Sequence, residues 1–185
     1  MEAQHQFLLL PESLFETSAV ADFSGEVTIP EIAMGADIYQ FPDPIRYQLF
    51  ITNTGGAFLV SGSVSGVART ACARCLDTLD LPLEAEVEAY YILPDAEASF
   101  EEDDQIEYET LEDSNKIDLT TLTRAALALA FPYAPLCRED CAGLCPQCGA
   151  NLNHESCECV EEQLDTSNNP FAVLKDYRFD SDDGE

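Results

Sequence analysis

Six cysteines fall between Cys137 and Cys159, and two more stand upstream as Cys72-Ala-Arg-Cys75. No other feature constrains the fold of this chain as strongly. The dense stretch holds Cys137 and Cys141, then Cys145-Pro-Gln-Cys148-Gly149, then Cys157-Glu-Cys159. Two thiolates two residues apart can reach one tetrahedral ion from a tight turn. In the 145–149 segment the turn chemistry agrees. Pro146 restricts φ, and Gly149 permits a left-handed backbone after the second thiolate. Eight thiolates divide evenly into two four-ligand sites, so the pattern predicts a module holding one or two structural zinc ions.

Three other uses of cysteine compete with this reading. A disulfide framework needs an oxidising compartment. The segment Met1–Glu16 has a short apolar run and no basic flank, unlike a secretory signal, so reduced thiols in the cytoplasm are expected. Redox catalysis at Cys72–Cys75 would place the pair between a strand and a helix. Here Leu76-Asp-Thr-Leu-Asp80 follows, which reads as a turn into another strand. One or two of the eight can also pack simply as small apolar residues.

The 185 residues are 46% hydrophobic, enough for one globular domain with a small appendage. No apolar stretch approaches the roughly 18 residues of a membrane span. The formal net charge is −28, from 36 acids against 8 bases. Such a surface repels nucleic-acid phosphates, whose binding depends on Lys and Arg releasing counterions. It attracts basic partners and speeds their encounter.

Along the chain, residues 26–29 and 46–52 read as strands, with Pro30, Pro42 and Pro44 breaking the runs. Thr54-Gly55-Gly56 signals a hairpin into a long strand from Phe58 to Thr70, where Gly62 and Gly66 suggest bulges. The run Gly62-Ser-Val-Ser-Gly66 fails as a nucleophile elbow because its centre is Val64. From Leu79 to Tyr91, apolar residues alternate with Asp80, Pro82, Glu84, Glu86 and Glu88, the period of a half-buried antiparallel strand. Cys72 and Cys75 are therefore expected on the turn joining two long strands.

The stretch 95–113 reads as an acidic loop with a short strand at 106–109. Asp118 predicts the N-cap of a helix over 119–130, stopped before Pro132, with Leu119, Leu122, Ala126 and Leu129 as its apolar face. Residues 170–177 suit a short terminal helix, and 180–185 an acidic end. The fold class expected is α+β, an antiparallel sheet (a meander or partly open barrel) covered by one helix, with a C-terminal cysteine-rich zinc module. The expected division is a β domain over 1–134 and the zinc module over 135–185.

Chain proximity groups Cys145, Cys148, Cys157 and Cys159 in one site and Cys72, Cys75, Cys137 and Cys141 in another. A single site of Cys72, Cys75, Cys145 and Cys148 remains an alternative. Cys157-Glu-Cys159 is the weakest pair, because a one-residue spacer strains joint ligation. His154 is chemically able to replace one of those sulfurs, although it is expected to face solvent.

The blocks Cys72-Ala-Arg-Cys75-Leu76, Ile117-Asp118-Leu119 and Leu136-Cys137 through Cys141-Ala-Gly-Leu-Cys145-Pro-Gln-Cys148-Gly-Ala-Asn151-Leu152-Asn153 together resemble the YceD family, the large ribosomal RNA subunit accumulation proteins. Their order and spacing match over about residues 60 to 175. The resemblance implies a cytosolic protein needed for accumulation of large-subunit ribosomal RNA. It also implies no enzymatic activity, and a zinc site that stabilises rather than catalyses. The chain departs from the family's Asp-Pro-Arg step near its end: Asp165 is followed by Thr166-Ser-Asn-Asn-Pro170.

Joined to the acidity, the resemblance points to a basic ribosomal protein or large-subunit precursor as partner, with no membrane and no small-molecule substrate. Direct RNA contact stays open through Arg69, Arg74 and Arg138, which lie near the cysteines in sequence. Two other classes are a thiol- and zinc-based redox-responsive regulator and a direct RNA-binding zinc protein. Regulatory thiols would be exposed and of low pKa. An enzyme is the least supported class, since no phosphate loop or dinucleotide fingerprint is present.

Overall fold

A computed structural model describes residues 5–93, 108–111 and 115–159. The strands are β1 (Phe7–Leu9), β2 (Val20–Val27), β3 (Glu31–Met34), β4 (Asp37–Gln40), β5 (Ile45–Asn53), β6 (Ala57–Ala71), β7 (Thr78–Ile92), β8 (Tyr108–Thr110) and β9 (Lys116–Asp118). A 3-10 turn spans Glu12–Phe15, and the helix α1 spans Leu119–Ala130. β1 and β9 form a small antiparallel ladder of their own.

The main sheet is open and mostly antiparallel. Its long axis is β6, paired over its whole length with β7. The other edge of β6 is shared: β5 borders residues 58–65, and the β3–β4 hairpin joins further along, at Gln40 opposite Arg69. β2 lies outside β5, and β8 runs parallel to β7 beside Tyr90–Ile92. The alternation expected from 79 to 91 holds in β7. Leu83, Ala85, Val87 and Tyr91 turn into the core, while Asp80, Glu84, Glu86 and Glu88 face solvent. Beyond the reach of β8, β7 has no further strand partner among the described residues. That edge tolerates Pro82, which has no N–H to offer.

Two expectations for the sheet need correction. The strand expected at 26–29 instead runs from Val20 to Val27, paired with β5 residue for residue. Its inward positions Ala21, Phe23, Gly25 and Val27 alternate with Val20, Asp22, Ser24 and Glu26. Asp, Ser and Gly have low strand propensity, so the alternation was hidden until β5 supplied a partner. Gly66 and Gly62 are also not bulges, because pairing with β7 runs unbroken through both, and Gly62 pairs with Leu49 on its other side as well. Its φ is +151°, and an added Cβ would sit 2.0 Å from the Gln48 carbonyl oxygen. Glycine is required there by close backbone approach.

The expected hairpin at 54–56 forms. Buried Asn53 closes it, accepting from the Gly55 N–H at 2.8 Å and donating to the Leu14 carbonyl at 3.0 Å. Helix α1 starts where the sequence placed it. The Asp118 side chain accepts from the N–H groups of Thr120 and Thr121, the bonds that define an N-cap. Its face differs by one residue. Leu127 is fully buried, whereas Leu129 is 90% exposed. The covered face is wider than the leucines and alanine alone suggest: Thr120 and Thr123 are buried too, and at about 100° per residue the arc they complete takes in Leu127 and leaves Leu129 just beyond its edge. The helix packs mainly against β7.

Of the stretch 95–113, only 108–111 is described. β8 begins at Tyr108, inside the short strand expected at 106–109. The expected helix at 170–177 and the acidic end at 180–185 lie outside the described residues. Among the described residues, no helix is long and apolar enough to cross a membrane.

Candidate metal centres

The β6–β7 turn carries Cys72 and Cys75, and the segment after α1 folds back onto it. Ala73 donates to the Pro135 carbonyl at 2.8 Å, and Leu144 donates to the Arg74 carbonyl at 3.1 Å. The Arg74 guanidinium donates to the Cys141 carbonyl at 3.1 Å. These bonds bring Cys137 and Cys141 to the turn, although more than sixty residues separate them from Cys72 and Cys75.

The result is two compact sulfur tetrads, Cys72/Cys75/Cys137/Cys141 and Cys145/Cys148/Cys157/Cys159. Within each, all Sγ atoms lie within 4.8 Å of one another. The Cys72–Cys141 and Cys75–Cys137 separations are 3.8 and 3.6 Å. Four sulfurs at about 2.3 Å from a tetrahedral zinc stand about 3.8 Å apart, so the first tetrad already has the required size. All eight cysteines are free thiols. The grouping by chain proximity is the arrangement present; a single site of Cys72, Cys75, Cys145 and Cys148 is not formed. His154 belongs to neither tetrad. It is exposed, with its Nε2 3.1 Å from Asp77.

The two knuckles share one backbone design. Leu76 donates to the Cys72 carbonyl at 3.0 Å, and Gly149 donates to the Cys145 carbonyl at 2.9 Å. Both residues are left-handed, with φ of 62° and 75°. Glycine was anticipated at position 149. At the matching position of the first knuckle the chain places a leucine, which pays the left-handed strain.

The thiols within each tetrad ionise unequally. Burial is the largest influence on Cys72 and opposes its charge. The N–H groups of Cys75, Arg74 and Cys137 together outweigh it and bring the thiol down to about 6. Cys145 also falls to about 6, chiefly through N–H donors from Cys148 and Gln147. Burial opposes ionisation of Cys141 too, but the Asn153 amide and the Gly143 N–H carry it below the ordinary thiol value. Desolvation pushes Cys75 and Cys137 up. The contact with Cys148, then desolvation, pushes Cys159 up to about 12. Each cluster thus mixes thiols that give up a proton readily, Cys72 and Cys141 in the first and Cys145 in the second, with thiols that resist becoming a further adjacent anion. A bound cation reverses that resistance, because it is the largest local charge and deprotonates its thiol ligands. The donor set, its spacing and its electrostatics all fit a divalent, thiophilic ion.

Around the tetrads lie residues that the sequence reading did not single out. Asp77 accepts from Asn151 at 3.0 and 3.1 Å and from the Cys75 thiol at 3.3 Å. The Cys75 contact, then Asn151 and His154, holds its carboxyl below the usual range. Asn153 Nδ2 lies 3.3 Å from Cys141 Sγ. The available signal was the pair of amide side chains two residues apart just after the second knuckle. The three arginines considered for an RNA patch are engaged within the protein. Arg69 pairs with Asp80 at 2.8 Å, Arg74 binds carbonyls of the cysteine segment, and Arg138 binds Asn153 and Asp140.

A family model described as large ribosomal RNA subunit accumulation protein YceD matches residues 60–177, a span that includes all eight cysteines. The chain belongs to the YceD family. An uncharacterized protein of Mycobacterium tuberculosis is 34% identical over 107 residues, covering 58% of this chain and 51% of that protein. An uncharacterized protein of Mycobacterium leprae is 28% identical over 129 residues, covering 68% of this chain and 58% of its own length. The chloroplastic large ribosomal RNA subunit accumulation protein YCED homolog 1 of Arabidopsis thaliana is 33% identical over 61 residues, covering 33% of this chain and 19% of that protein. The chain thus spans about half the length of the curated relatives it matches most extensively. No solved structure matches it. Within this YceD chain, β1 through β5 precede the matched region, which begins inside β6 and takes in β7 through α1 and both tetrads.

Proposed function

We propose that this protein is a non-enzymatic, cytoplasmic ribosome-biogenesis factor. It supports accumulation of large-subunit ribosomal RNA by binding a basic ribosomal protein or an assembly intermediate. Zinc, held by Cys72, Cys75, Cys137 and Cys141 and by Cys145, Cys148, Cys157 and Cys159, is structural. The family match carries the ribosomal part of this reading.

The tetrads support a stabilising role for the metal. Four sulfurs complete a tetrahedral shell and leave no position for a substrate or an activated water. What zinc supplies is a cross-link: it ties the C-terminal segment to the β6–β7 turn and closes the second loop on itself. The solvent face of the sheet supports a basic partner. Asp80, Glu84, Glu86 and Glu88 share the solvent face of β7 with Pro82, and the nearby Arg69 is already paired with Asp80.

A redox-responsive role finds less support. The buried Cys72, Cys141 and Cys145 are the thiols brought low, whereas the exposed Cys137 and Cys159 are pushed up. A sensor needs exposure and a low pKa in the same cysteine.

The test compares purified large-subunit ribosomal proteins with large-subunit ribosomal RNA fragments as ligands, across salt. Binding to a basic protein that weakens as salt rises is expected. Tight RNA binding with no protein partner would favour the direct RNA-binding zinc protein instead.

A further inference from the structure

The two sulfur tetrads are joined by side chains that belong to neither. Asp77 is fixed to the first knuckle, since its carbonyl accepts the Cys72 N–H at 2.8 Å. Its carboxylate reaches across to the second centre and holds Asn151 and His154. Both residues lie between Cys148 and Cys157, inside the chain loop that the second tetrad closes. Asn151 Oδ1 in turn accepts from the backbone N–H and the amide of Asn153, each at 3.0 Å. The Asn153 amide then points at Cys141 Sγ of the first tetrad, while its oxygen accepts from the Ala142 N–H at 2.8 Å and from Arg138 at 2.6 Å. The backbone repeats the connection. Leu152 donates to the Gly143 carbonyl at 2.9 Å, and Gly143 packs so closely on Arg74 that an added Cβ would lie 3.2 Å from the Arg74 carbonyl oxygen.

A loop of this kind, short and rich in polar side chains, has little apolar packing to hold it. Cys148 and Cys159 are exposed, and of the loop's apolar side chains Leu152 is one-third exposed. Closure on an ion would add a cross-link to the hydrogen bonds that hold it, and the ordered loop presents Asn153 to Cys141. Partners outside the ligand shell that orient or hydrogen-bond the ligands typically change metal affinity 10- to 100-fold.

We propose that the two tetrads form one coupled metal unit, in which an ion at Cys145/Cys148/Cys157/Cys159 raises the affinity of Cys72/Cys75/Cys137/Cys141 for a second ion through Asn153 and the Asn151–Asp77 contact. The inference rests on reading the tetrads as metal centres. Asn153, Asn151 and Asp77 are positioning residues: they ligate nothing and act through Cys141 and the first knuckle. Linkage makes the effect reciprocal, so loading the first tetrad raises the affinity of the second by the same factor.

The experiment titrates the reduced, metal-stripped full chain with Co2+, whose absorption reports tetrahedral thiolate ligation, and repeats the titration with Zn2+ against a chromophoric chelator. Removing the second tetrad with Cys157→Ser and Cys159→Ser is expected to lower affinity at the first about tenfold. Asn153→Ala alone is expected to do the same, and the combined variant to lose no more than either, because both remove one link. Asn153→Asp keeps the oxygen that faces Ala142 and Arg138 and removes the N–H aimed at sulfur. It also sets a carboxylate oxygen against Asn151 Oδ1 and a negative charge beside the sulfur, so it is expected to lose at least as much affinity as Asn153→Ala, with amide exchange of the loop separating a lost N–H···S contact from unfolding. Removing the first tetrad with Cys72→Ser and Cys75→Ser should weaken the second equally. Two ions that bind independently, or losses that multiply in the combined variant, would overturn the coupling while leaving the metal centres intact. A chain that binds no metal in any form would overturn both.

Discussion

Two single positions carry strain that can be measured. Leu76 adopts a left-handed backbone, is 65% exposed, and stands where the second knuckle has Gly149. A left-handed non-glycine residue costs about 1–2 kcal/mol. Part of that gain is returned, because glycine has more freedom to lose on folding. Leu76→Gly is therefore expected to raise stability by up to about 1 kcal/mol, read as a higher urea midpoint at unchanged slope and unchanged metal content. Gly62 is the opposite case. Its positive φ and the 2.0 Å approach of the Gln48 oxygen leave no room for a methyl group. Gly62→Ala should destabilise by more than about 2 kcal/mol, since backbone strain and overpacking add. A neutral result in denaturant unfolding would show that β5 can shift away from β6.

At the scale of elements, α1 separates packing from composition. Leu127 and Leu129 are two residues apart on one helix, yet one is fully buried and the other 90% exposed. Leu127→Ala should cost about 2–5 kcal/mol, and Leu129→Ala less than about 0.5 kcal/mol. Equal losses in thermal melts would mean the helix is rotated on β7. The N-cap adds a pH dependence. Burial opposes the charge of Asp118, but bonds from His5 and Thr121 win and hold its carboxyl below the ordinary value. A carboxyl lowered in the folded state stabilises above its unfolded pKa, and that stabilisation is lost as pH falls through the folded value. Asp118→Ala should cost about 1 kcal/mol near neutrality. The gap between variant and wild type should narrow below about pH 4, where the unfolded carboxyl takes up its proton. A gap that stayed constant in urea midpoints across this range would show that the cap's charge contributes nothing.

For the whole molecule, the sheet and the metal centres stand on different forces. The core formed by β2, β5, β6, β7 and α1 is apolar and contains no cysteine. A separate small cluster around Cys72, Cys75 and Cys141 packs with Leu79, Leu136 and Leu144. Structural zinc contributes folding energy to the segment that holds it. Chelation of the reduced protein is expected to release up to two ions per chain and to lower the melting temperature. Amide exchange should rise through 135–159 while protection of β5, β6 and β7 persists. Uniform loss of protection across the sheet would show that the metal holds the entire fold.

Much of this was legible in one dimension. The alternation from Leu79 to Tyr91, the Thr54-Gly55-Gly56 hairpin and the Asp118 cap are local signals, each contained within a few residues and each set by backbone geometry. The Cys-x-x-Cys turns are local in the same sense. What lay outside the sequence was every decision that needs a distant partner. Strand β2 has an indifferent composition and exists because β5 pairs with it. Leu127 displaced Leu129 because the angle at which α1 meets β7 sets which residues are covered. The need for glycine at 62 comes from a carbonyl on another strand. The contacts of Asn153 with Cys141 and of Asn151 with Asp77 join residues twelve and seventy-four positions apart. Which residues could ligate and where the chain would turn could be read from single residues, because thiolate chemistry and φ preferences are local properties. Chain proximity also favoured the two groups of sulfurs that are present, and folding ruled out the single mixed site; what connects the two centres came from the fold alone, because those distances are set by the packing of the segment after α1 onto the β6–β7 turn.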